Sequence, residues 1–474
     1  MAPEYPFFLA GQWRKSGQPL DVVNPFDGHV VGTTFYASSA DLEEATVAAQ
    51  EAFAVVRDLP AYERGAILDR IAQGVRQQKD SFARIISLEA GKPIRDSAFE
   101  VDRAIFTFEM GAVEARRLGG DVLPLDLMPH GRGRLGIVRR FPVGPVAAIT
   151  PFNFPLNLAA HKVAPAIACG NPVVLKPPSK TPLTMLTAAR IMAEAGLPSG
   201  ALSILPMSRE VDRVMVSDPR FKLLSFTGSA DVGWGLKARA GKKRVLLELG
   251  GNAGVIVDRD AEVVQAAGRI ATGSFSYAGQ SCISVQRVYV HQDVFQQVTR
   301  ALLDTVAAIK MGDPLDPETG LGPMIDEGAV ARSQAWVEEA VAQGARVLAG
   351  GQAQGRFFQP TVLTNVDPAS KVCSLEVFAP LVSLFPFQDF REAVAQVNNS
   401  MYGLQAGVFT GSLANAFYAF QELEVGGVII NDIPSFRIDH MPYGGVKDSG
   451  QGREGLRYAI EEMTEPRIMV VSGI

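Results

Sequence analysis

The 474-residue sequence predicts an α/β fold made of two successive α/β units and a small β ribbon. Short apolar stretches alternate with helix-like segments from residue 143 onward, which is typical of a mostly parallel sheet flanked by helices. The chain is longer than one hydrophobic core normally allows, so at least two domains are expected. A content of 47% apolar and 20% charged residues is that of an ordinary globular protein and argues against disorder.

The first part of the chain is predicted to be mainly helical. Ser39-Ala-Asp-Leu-Glu is typical of a helix start, and Gly91 and Pro93 are typical of a helix end. The predicted helices are Ser39–Val56, Ala61–Gln77, Lys79–Ala90 and Ala98–Leu118.

A strand and helix alternation follows, and it predicts a nucleotide-binding sheet. Its segments, in order, are Val143–Thr150, Val173–Leu175, Thr181–Ala195, Leu202–Leu205, Arg209–Val216, Leu223–Phe226, Ala230–Ala240 and Val245–Leu247. A second α/β pattern begins after Gly251 with the strand Ala253–Val257 and the helix Ala261–Ser276, and it runs to about Asn431. The Gly- and Arg-rich segment 121–141 and the closing apolar strand Arg467–Ser472 belong to neither unit.

Composition argues against several classes of protein. A net charge of −5 with dispersed basic residues gives no sign of a nucleic-acid-binding face. The N-terminus lacks the features of a secretory signal, and apolar stretches are interrupted well short of a membrane span. The three cysteines, Cys169, Cys282 and Cys373, are widely separated, which argues against a disulfide framework or a metal site. We therefore expect a cytoplasmic protein without a metal, a nucleic-acid partner or a membrane partner.

Two short motifs offer a nucleophile and a base. Cys282 ends Gly-Gln-Ser-Cys, and Glu248 lies in Leu-Glu-Leu-Gly-Gly. A thiol attacks only as thiolate, and free Cys has a pKa of about 8.5, so the site must lower that pKa or supply a base. The glycines after Glu248 would let backbone or a ligand approach a carboxylate that activates water. Either motif alone is weak because short motifs often occur by chance.

With further segments in the same order, these motifs resemble the aldehyde dehydrogenase superfamily, in particular its lactaldehyde/glyceraldehyde dehydrogenase-like members. The further segments are Pro151-Phe-Asn-Phe-Pro155, Lys176-Pro-Pro-Ser179, Phe226-Thr-Gly-Ser229, Glu376-Val-Phe378 and Asn431 through Arg453. They span most of the chain, so chance is not a serious explanation. The resemblance implies a Rossmann-like NAD(P)-binding domain (1–120 and 140–250), a catalytic domain (251–440) and oligomerisation segments (121–139 and 441–474).

The resemblance also implies which residues act. Cys282 is the expected nucleophile, Glu248 the base that activates water, and Asn153 a donor of the oxyanion hole. The expected cofactor-binding residues are Lys176, Ser179, Thr227, Gly228, Ser229, Glu376, Phe378 and Phe152. Among these, Thr227 to Ser229 follow a strand and open a helix, where a helix N-terminus can receive a pyrophosphate.

Ser179 departs from the family pattern. Many NAD-preferring relatives carry a glutamate there that grips the ribose 2′-hydroxyl and repels a 2′-phosphate. With Ser179 that repulsion is lost, and Lys176 and Lys180 would attract the phosphate. The expected cofactor is therefore NADP or NAD, with NADP accepted at least as well. Pro206-Met-Ser208 also departs from the glycine-rich turn of many relatives.

The expected reaction is oxidation of a small aldehyde to its acid through a thioester on Cys282. Relatives that pass the acyl group to coenzyme A tend to lack a glutamate at the position of Glu248, so hydrolysis is favoured over that alternative. All three catalytic residues are present, which argues against a non-catalytic binding protein.

The C-terminal motif resembles members acting on lactaldehyde and glyceraldehyde, so a neutral hydroxyaldehyde is preferred over semialdehyde or phosphonoacetaldehyde substrates. An anionic substrate would need a cation, for which Arg103, His161, Arg437 and His440 are candidates. The ribbon and the terminal strand imply a homodimer or homotetramer, because an uncovered apolar strand favours aggregation.

Overall fold

The computed structural model describes residues 2–473. The strands are β1 Phe7–Leu9, β2 Gln12–Arg14, β3 Pro19–Val23, β4 Val30–Phe35, β5 Gly120–Pro124, β6 Arg134–Pro142, β7 Val146–Ile149, β8 Val173–Lys176, β9 Leu202–Ile204, β10 Leu223–Thr227, β11 Arg244–Glu248, β12 Ala253–Val257, β13 Val285–His291, β14 Arg346–Ala349, β15 Ala353–Gln354, β16 Phe357–Phe358, β17 Thr361–Thr364, β18 Leu381–Phe387, β19 Tyr402–Gly403, β20 Gln405–Phe409, β21 Gly427–Ile430, β22 Val446–Lys447, β23 Gly450–Gln451 and β24 Thr464–Ser472.

The α-helices are α1 Ser39–Val56, α2 Ala61–Gln77, α3 Lys79–Ala90, α4 Ile94–Arg117, α5 Asn157–Cys169, α6 Leu183–Glu194, α7 Arg209–Ser217, α8 Ala230–Arg239, α9 Val263–Phe275, α10 Phe295–Ala307, α11 Glu327–Ala342, α12 Lys371–Ser374, α13 Phe390–Asn398, α14 Leu413–Glu422 and α15 Leu456–Glu462. Short 3₁₀ turns lie at Pro129–Gly131 and Ser276–Gly279.

The first large sheet has the strand order β2-β1-β9-β8-β7-β10-β11-β23. Its five central strands, β9, β8, β7, β10 and β11, are parallel. Helices such as α5 and α6 pack on them in one apolar core. The predicted α/β class is thereby confirmed. The carboxyl ends of β7, β8, β10 and β11 lie along one edge of this sheet, where ligands of open α/β sheets bind.

The second large sheet has the order β14-β17-β18-β13-β12-β20-β21 and is parallel except for β14. Its core is separate from that of the first sheet. The loop before β12 directly follows Glu248, and the loop before β13 contains Cys282. The amino edge of the second sheet therefore faces the carboxyl edge of the first.

A third sheet, with the order β24-β6-β5, forms the predicted ribbon. The predicted segment 441–474 is divided in the structure. β23 pairs with β11 at the edge of the first sheet, and α15 contributes Leu456 and Ile460 to the first core, whereas β24 alone joins the ribbon.

Several predicted boundaries differ from the structure by two to four residues, and two of these differences have a local cause. α4 begins at Ile94 rather than Ala98, because Pro93 directly precedes its first turn and a proline is well tolerated there. The strand predicted from Val143 begins only at Val146, because Pro145 has no N–H to donate to a neighbouring strand. Among residues 2–473, no helix combines the length and apolar character needed to cross a membrane.

Candidate active site

Cys282 lies in a tight turn between α9 and β13. Tyr277 and Ala278 have φ values of 49° and 51°, and Gly279 follows with a φ of 66°. A Cβ at Gly279 would overlap the Ala379 carbonyl oxygen, so only glycine fits at this position. Three consecutive left-handed residues reverse the chain direction and bring Cys282 to the interface of the two large sheets.

The thiol of Cys282 is half-buried and contacts one polar side chain. Its Sγ lies 3.0 Å from the hydroxyl of Tyr443. Burial raises the pKa of Cys282 to about 12, although the hydrogen bond with Tyr443 acts in the opposite direction. The protein by itself therefore holds Cys282 as a thiol, and its activation depends on a base or on positive charge brought by a ligand.

Glu248 ends β11 and points toward the same place. The loop after it passes so close to Cys282 that a Cβ at Gly251 would overlap the Cys282 carbonyl oxygen. A Cβ at Gly444 would lie 2.9 Å from Glu248 Oε1, and Gly444 is next to Tyr443. The predicted nucleophile and base are thus brought together, with Tyr443 beside both. We call Cys282, Glu248, Asn153 and Tyr443 the reaction pocket.

The carboxyl group of Glu248 is buried, and its surroundings favour the neutral form. Its Oε2 has no hydrogen-bond partner among the described residues. Burial raises the pKa of Glu248 well above its usual range, and the nearby negative charge of Glu454 adds to this effect. Glu454 is buried too, which opposes its ionisation, but Lys162, His161 and Arg437 outweigh that and hold its pKa at about 2. Of the two carboxyl groups, Glu454 therefore carries the charge.

Asn153 lies in the loop between β7 and α5. One N–H of its side-chain amide donates to the carbonyl oxygen of Gln280, with a distance of 3.0 Å, and its Oδ1 is buried without a partner among residues 2–473. An amide nitrogen has two hydrogens, so a second donor is left for a ligand. Gln280 is two residues before Cys282, and Asn153 is therefore fixed to the loop that carries Cys282.

A cavity of about 770 Å³ opens along the carboxyl edge of the first sheet. We call it the cofactor cleft; its lining includes Thr150, Phe152, Lys176, Ser179, Arg209, Thr227, Gly228 and Ser229. Thr227 Oγ1 is buried without a partner in the described chain, and the N-terminus of α8 lies directly beyond it. An unpartnered hydroxyl beside a helix N-terminus fits the phosphates of a dinucleotide.

Three cations line or approach the end of the cleft near Ser179. Lys176 Nζ lies 3.2 Å from Asp212 Oδ2, and the exposed Lys180 lies 3.4 Å from Asp326. Arg209, at the start of α7, lines the cleft and forms no ion pair within residues 2–473. Both predicted lysines are thus at least partly neutralised, whereas Arg209 has no ion-pair partner in the described part of the chain.

Phe152 lines the cofactor cleft, and Phe378 and Glu376 lie beyond it. A Glu376 oxygen accepts a hydrogen bond from the backbone N–H of Gly251, 3.0 Å away, and burial raises the pKa of Glu376 to about 7. The rings of Phe152 and Phe378 meet edge to face with centroids 5.9 Å apart. Since Gly251 touches Cys282, Glu376 adjoins the reaction pocket.

Three of the four cations proposed for an anionic substrate converge on Asp439. Arg103 donates to both of its oxygens at 2.7 and 3.0 Å, and His161 Nε2 lies 2.8 Å away. Arg437 Nε lies 3.6 Å from Asp439, beyond hydrogen-bond distance. We call these four residues the Asp439 cluster. His440 is instead exposed and meets only the Phe106 ring among aromatic groups of the described chain.

Arg437 connects the Asp439 cluster with the reaction pocket. Its guanidinium carbon lies 3.7 Å from the centroid of the Tyr443 ring. The side chain is 4% exposed, it pairs with Glu454 at 3.0 Å, and its Nε has no hydrogen-bond partner among residues 2–473. Burial lowers the pKa of His161, and the positive charge of Arg437 adds to that effect.

The fold and the site are those of an oxidoreductase, with a cleft suited to a dinucleotide and a cysteine beside it. The chain belongs to the aldehyde dehydrogenase family, whose model matches residues 13–469. It is 42% identical over 470 residues to 3-sulfolactaldehyde dehydrogenase of Priestia megaterium, covering 99% of this chain and 98% of the relative. It is 37% identical over 470 residues to lactaldehyde dehydrogenase of Methanococcus aeolicus, covering 98% of this chain and 99% of the relative.

Solved structures of the family superpose closely. Aldehyde dehydrogenase 21 from Physcomitrella patens, in complex with the reaction product succinate, gives a TM-score of 0.98 at 44% identity over 100% of this chain and 99% of the other. Glyceraldehyde-3-phosphate dehydrogenase GapN from Methanocaldococcus jannaschii, complexed with NADP, gives 0.92 at 38% identity over 97% and 99%. The predicted family and reaction class, NAD(P)-dependent aldehyde oxidation, are confirmed.

Sequence reasoning missed Tyr443, Glu454 and Arg209. Tyr443 and Glu454 lie within or next to the recognised segment 431–453, but nothing in their sequence neighbours indicates a contact with Cys282 or Glu248. Arg209 directly follows Pro206-Met-Ser208, and that departure was the available signal.

Proposed function

We propose that this chain oxidises a small aldehyde carrying a sulfonate or carboxylate group to the corresponding acid. The observation that carries the proposal is Arg437, a buried arginine stacked on Tyr443 with an unpartnered Nε–H beside the reaction pocket. An unpaired buried donor costs free energy unless a ligand accepts from it. The sulfolactaldehyde and succinate named for two close relatives are anions of this kind and support the proposal.

Arg103 supplies a second cation beside the reaction pocket. Its guanidinium lies 5.8 Å from the Phe154 ring, which is next to Asn153 in the chain, and its side chain is 15% exposed. The two donors that Arg103 gives to Asp439 leave others on the outer side of the guanidinium. A substrate with its aldehyde at Cys282 would thus have guanidinium groups near its distant end.

In the proposed reaction the Cys282 thiol gives its proton to solvent water, and the sulfur adds to the aldehyde carbon. The second N–H of Asn153 and the backbone N–H of Cys282 stabilise the resulting oxyanion. When bound, the oxidised nicotinamide supplies the hydride acceptor that oxidation requires. The acyl group is then carried on Cys282 as a thioester, and deprotonated Glu248 takes a proton from the attacking water, so that the acid is released.

The proposed cofactor residues are those predicted from the sequence, with Arg209 added. Thr227, Gly228 and Ser229 would bind the phosphates, and Glu376 the nicotinamide ribose. Ser179 leaves room for a 2′-phosphate, and Arg209 would pair with it. The carboxylate of Asp212 beside Lys176 weakens the lysine's attraction for that phosphate, so Arg209 decides the acceptance of NADP.

A neutral hydroxyaldehyde such as lactaldehyde is the second candidate. It is favoured by the Asp439 carboxylate, which already neutralises much of the charge of Arg103. Burial opposes ionisation of Asp439, but hydrogen bonds from His161 and Arg103 outweigh it and hold its pKa far below the usual value. The charge of Asp439 is therefore permanent at neutral pH.

The test compares kcat/KM for 3-sulfolactaldehyde, succinate semialdehyde and lactaldehyde in wild type and Arg103→Met. Loss of a charged hydrogen bond, worth about 1.5–3 kcal/mol, should lower the value about 10- to 100-fold for the two anions, while lactaldehyde is nearly unaffected. Arg116→Met, on the same helix but on the surface with Asp69, is the matched control. An equal loss for all three aldehydes would contradict anion recognition.

We also propose a homodimer or homotetramer. β24 and β21 are edge strands of their sheets, and Ile468, Met469 and Val470 of β24 are about half exposed. A free apolar edge favours pairing with another strand, which a second copy would supply. Light scattering on wild type and Val470→Pro tests this, since proline cannot donate to a paired edge; an unchanged mass would argue against pairing through β24.

We also propose the domain division predicted from the sequence, with one change. Residues 450–463 are grouped with the NAD(P)-binding domain rather than with the oligomerisation segments. Limited proteolysis, with the fragment ends sequenced, would test it.

A further inference from the structure

A buried ion pair, Lys92 with Glu100, has no part in the reaction proposed above. Lys92 lies in the turn between α3 and α4, and Glu100 lies in the second turn of α4. Both side chains are 0% exposed. A buried ion pair rarely adds stability over apolar residues of the same size, so its presence asks for another explanation.

Lys92 contacts both loops of the reaction pocket. Its Nζ lies 3.7 Å from the centroid of the Phe154 ring and 4.6 Å from that of the Tyr277 ring. Phe154 is the neighbour of Asn153, and Tyr277 begins the turn that leads to Cys282. Cation–π contacts are strongest where the cation is desolvated, as it is here. The ammonium group is thus a common anchor for the two loops.

Glu100 fixes the loop of Asn153 from its other end. One carboxylate oxygen accepts hydrogen bonds from the backbone N–H groups of Leu156 and Asn157, at 2.9 and 3.2 Å. These residues begin α5, which has no capping side chain of its own. A carboxylate at a helix N-terminus is favourable for both the donors and the helix dipole.

The turn around Lys92 also holds the loop of the nucleophile. The hydroxyl of Tyr277 donates to the carbonyl oxygen of Ala90, 3.0 Å away. From Tyr277 the left-handed turn leads to Gln280, whose carbonyl oxygen accepts from Asn153. Both loops are therefore attached to the residues around the start of α4.

Resting on the proposed function, we propose that Lys92 and Glu100 are positioning residues that set the place of the Asn153 amide relative to Cys282. Neither touches substrate; both act through the loops they hold. A donor of an oxyanion hole is effective only at the place where charge develops. A displacement of about 1 Å can cost about 100-fold in rate.

The test is a double-mutant cycle with Asn153. Lys92→Met keeps the length and apolar stem of the side chain and removes the charge. We expect it to lower the pre-steady-state burst rate of reduced cofactor about 10- to 100-fold, without a comparable change in KM or in NADP affinity. In an Asn153→Ala background the same substitution should cost less than about 2-fold, because the donor that it displaces is already absent.

Two further variants make the cycle decisive. Glu100→Gln keeps an oxygen acceptor for Leu156 and Asn157 and removes the charge that holds Lys92. It should therefore show the same coupling to Asn153→Ala as Lys92→Met does. If Lys92→Met does not fold, Glu100→Gln replaces it in the cycle. Arg64→Met removes another buried cation of the same core, which donates to the Ala168 carbonyl oxygen at 2.9 Å. Any effect of Arg64→Met should be equal in the two backgrounds.

Equal losses in both backgrounds, or no loss, would overturn the positioning role while leaving the proposed function intact. A wild-type burst in Asn153→Ala alone would instead refute the assigned role of Asn153, and the positioning role with it.

Discussion

The reaction pocket and the cofactor cleft differ in how their polar groups are satisfied. In the pocket, Glu248 is buried beside Glu454, and the charge is carried by the carboxylate that has cationic partners. In the cleft, Arg209 and Ser229 are exposed at the rim. Electrostatic effects are strong where water is excluded and weak where it is not. Changes in the pocket should therefore alter the chemical steps, and changes at the rim should alter cofactor choice.

Cys282→Ala is expected to have the largest effect. Without the sulfur no thioester forms, and turnover should fall by about 10⁴-fold or more. Steady-state kinetics measures the loss, and fluorescence titration with NADPH should give wild-type affinity. Near wild-type turnover would rule out Cys282 as the nucleophile.

Glu248→Gln should separate the two halves of the reaction. The burst of reduced cofactor should persist, whereas later turnover should fall by about 10²- to 10⁴-fold because no base activates water. Stopped-flow absorbance resolves the two phases. Loss of the burst itself would assign Glu248 an earlier role, such as deprotonating Cys282.

The pH dependence of turnover tests the protonation of Glu248. Hydrolysis needs the ionised carboxylate, and burial raises its pKa, so kcat should fall as pH decreases through a value well above that of an ordinary glutamate. Measured kcat against pH should show this fall when hydrolysis limits turnover. An inflection at the ordinary glutamate value would argue that cofactor or substrate changes the environment of Glu248.

Ser179→Glu and Arg209→Met test the cleft. Each should lower kcat/KM with NADP by about 10- to 100-fold, the equivalent of one charged hydrogen bond. Arg209→Met should leave kcat/KM with NAD almost unchanged. The measurement is kcat/KM for both cofactors. A wild-type enzyme that strongly prefers NAD would contradict the proposed role of Ser179, and would point to Asp212 beside Lys176 as the group that excludes the phosphate.

Tyr443→Phe should have the smallest effect. Its hydroxyl contacts Cys282 Sγ and partly offsets the rise in the thiol pKa caused by burial. Loss of one hydrogen bond of about 1 kcal/mol should slow alkylation of Cys282 by iodoacetamide about 5-fold at a given pH. Unchanged alkylation would indicate that the tyrosine only packs.

Local sequence was sufficient for the helices of the first half of the chain except α5, and for the five parallel strands of the first sheet. Ser38 and Asp41 form a reciprocal cap at α1, and Gly91 ends α3 with a φ of 67°. These signals involve residues close in the chain, so they can be read without the fold. The order of motifs was enough for the family and for the reaction class.

The contacts proposed to decide specificity involve residues far apart in the chain. Arg103 reads as a helix-surface charge, but α4 packs against the C-terminal loop and brings it to Asp439. The thiol and carboxyl pKa values of Cys282 and Glu248 depend on burial and on Tyr443 and Glu454, which lie more than 150 residues from each of them. Sequence alone thus determined which chemical groups are present and in which elements they lie. Only the tertiary structure decided their protonation and their partners, because burial and distance set those energies and neither is a local property of the chain.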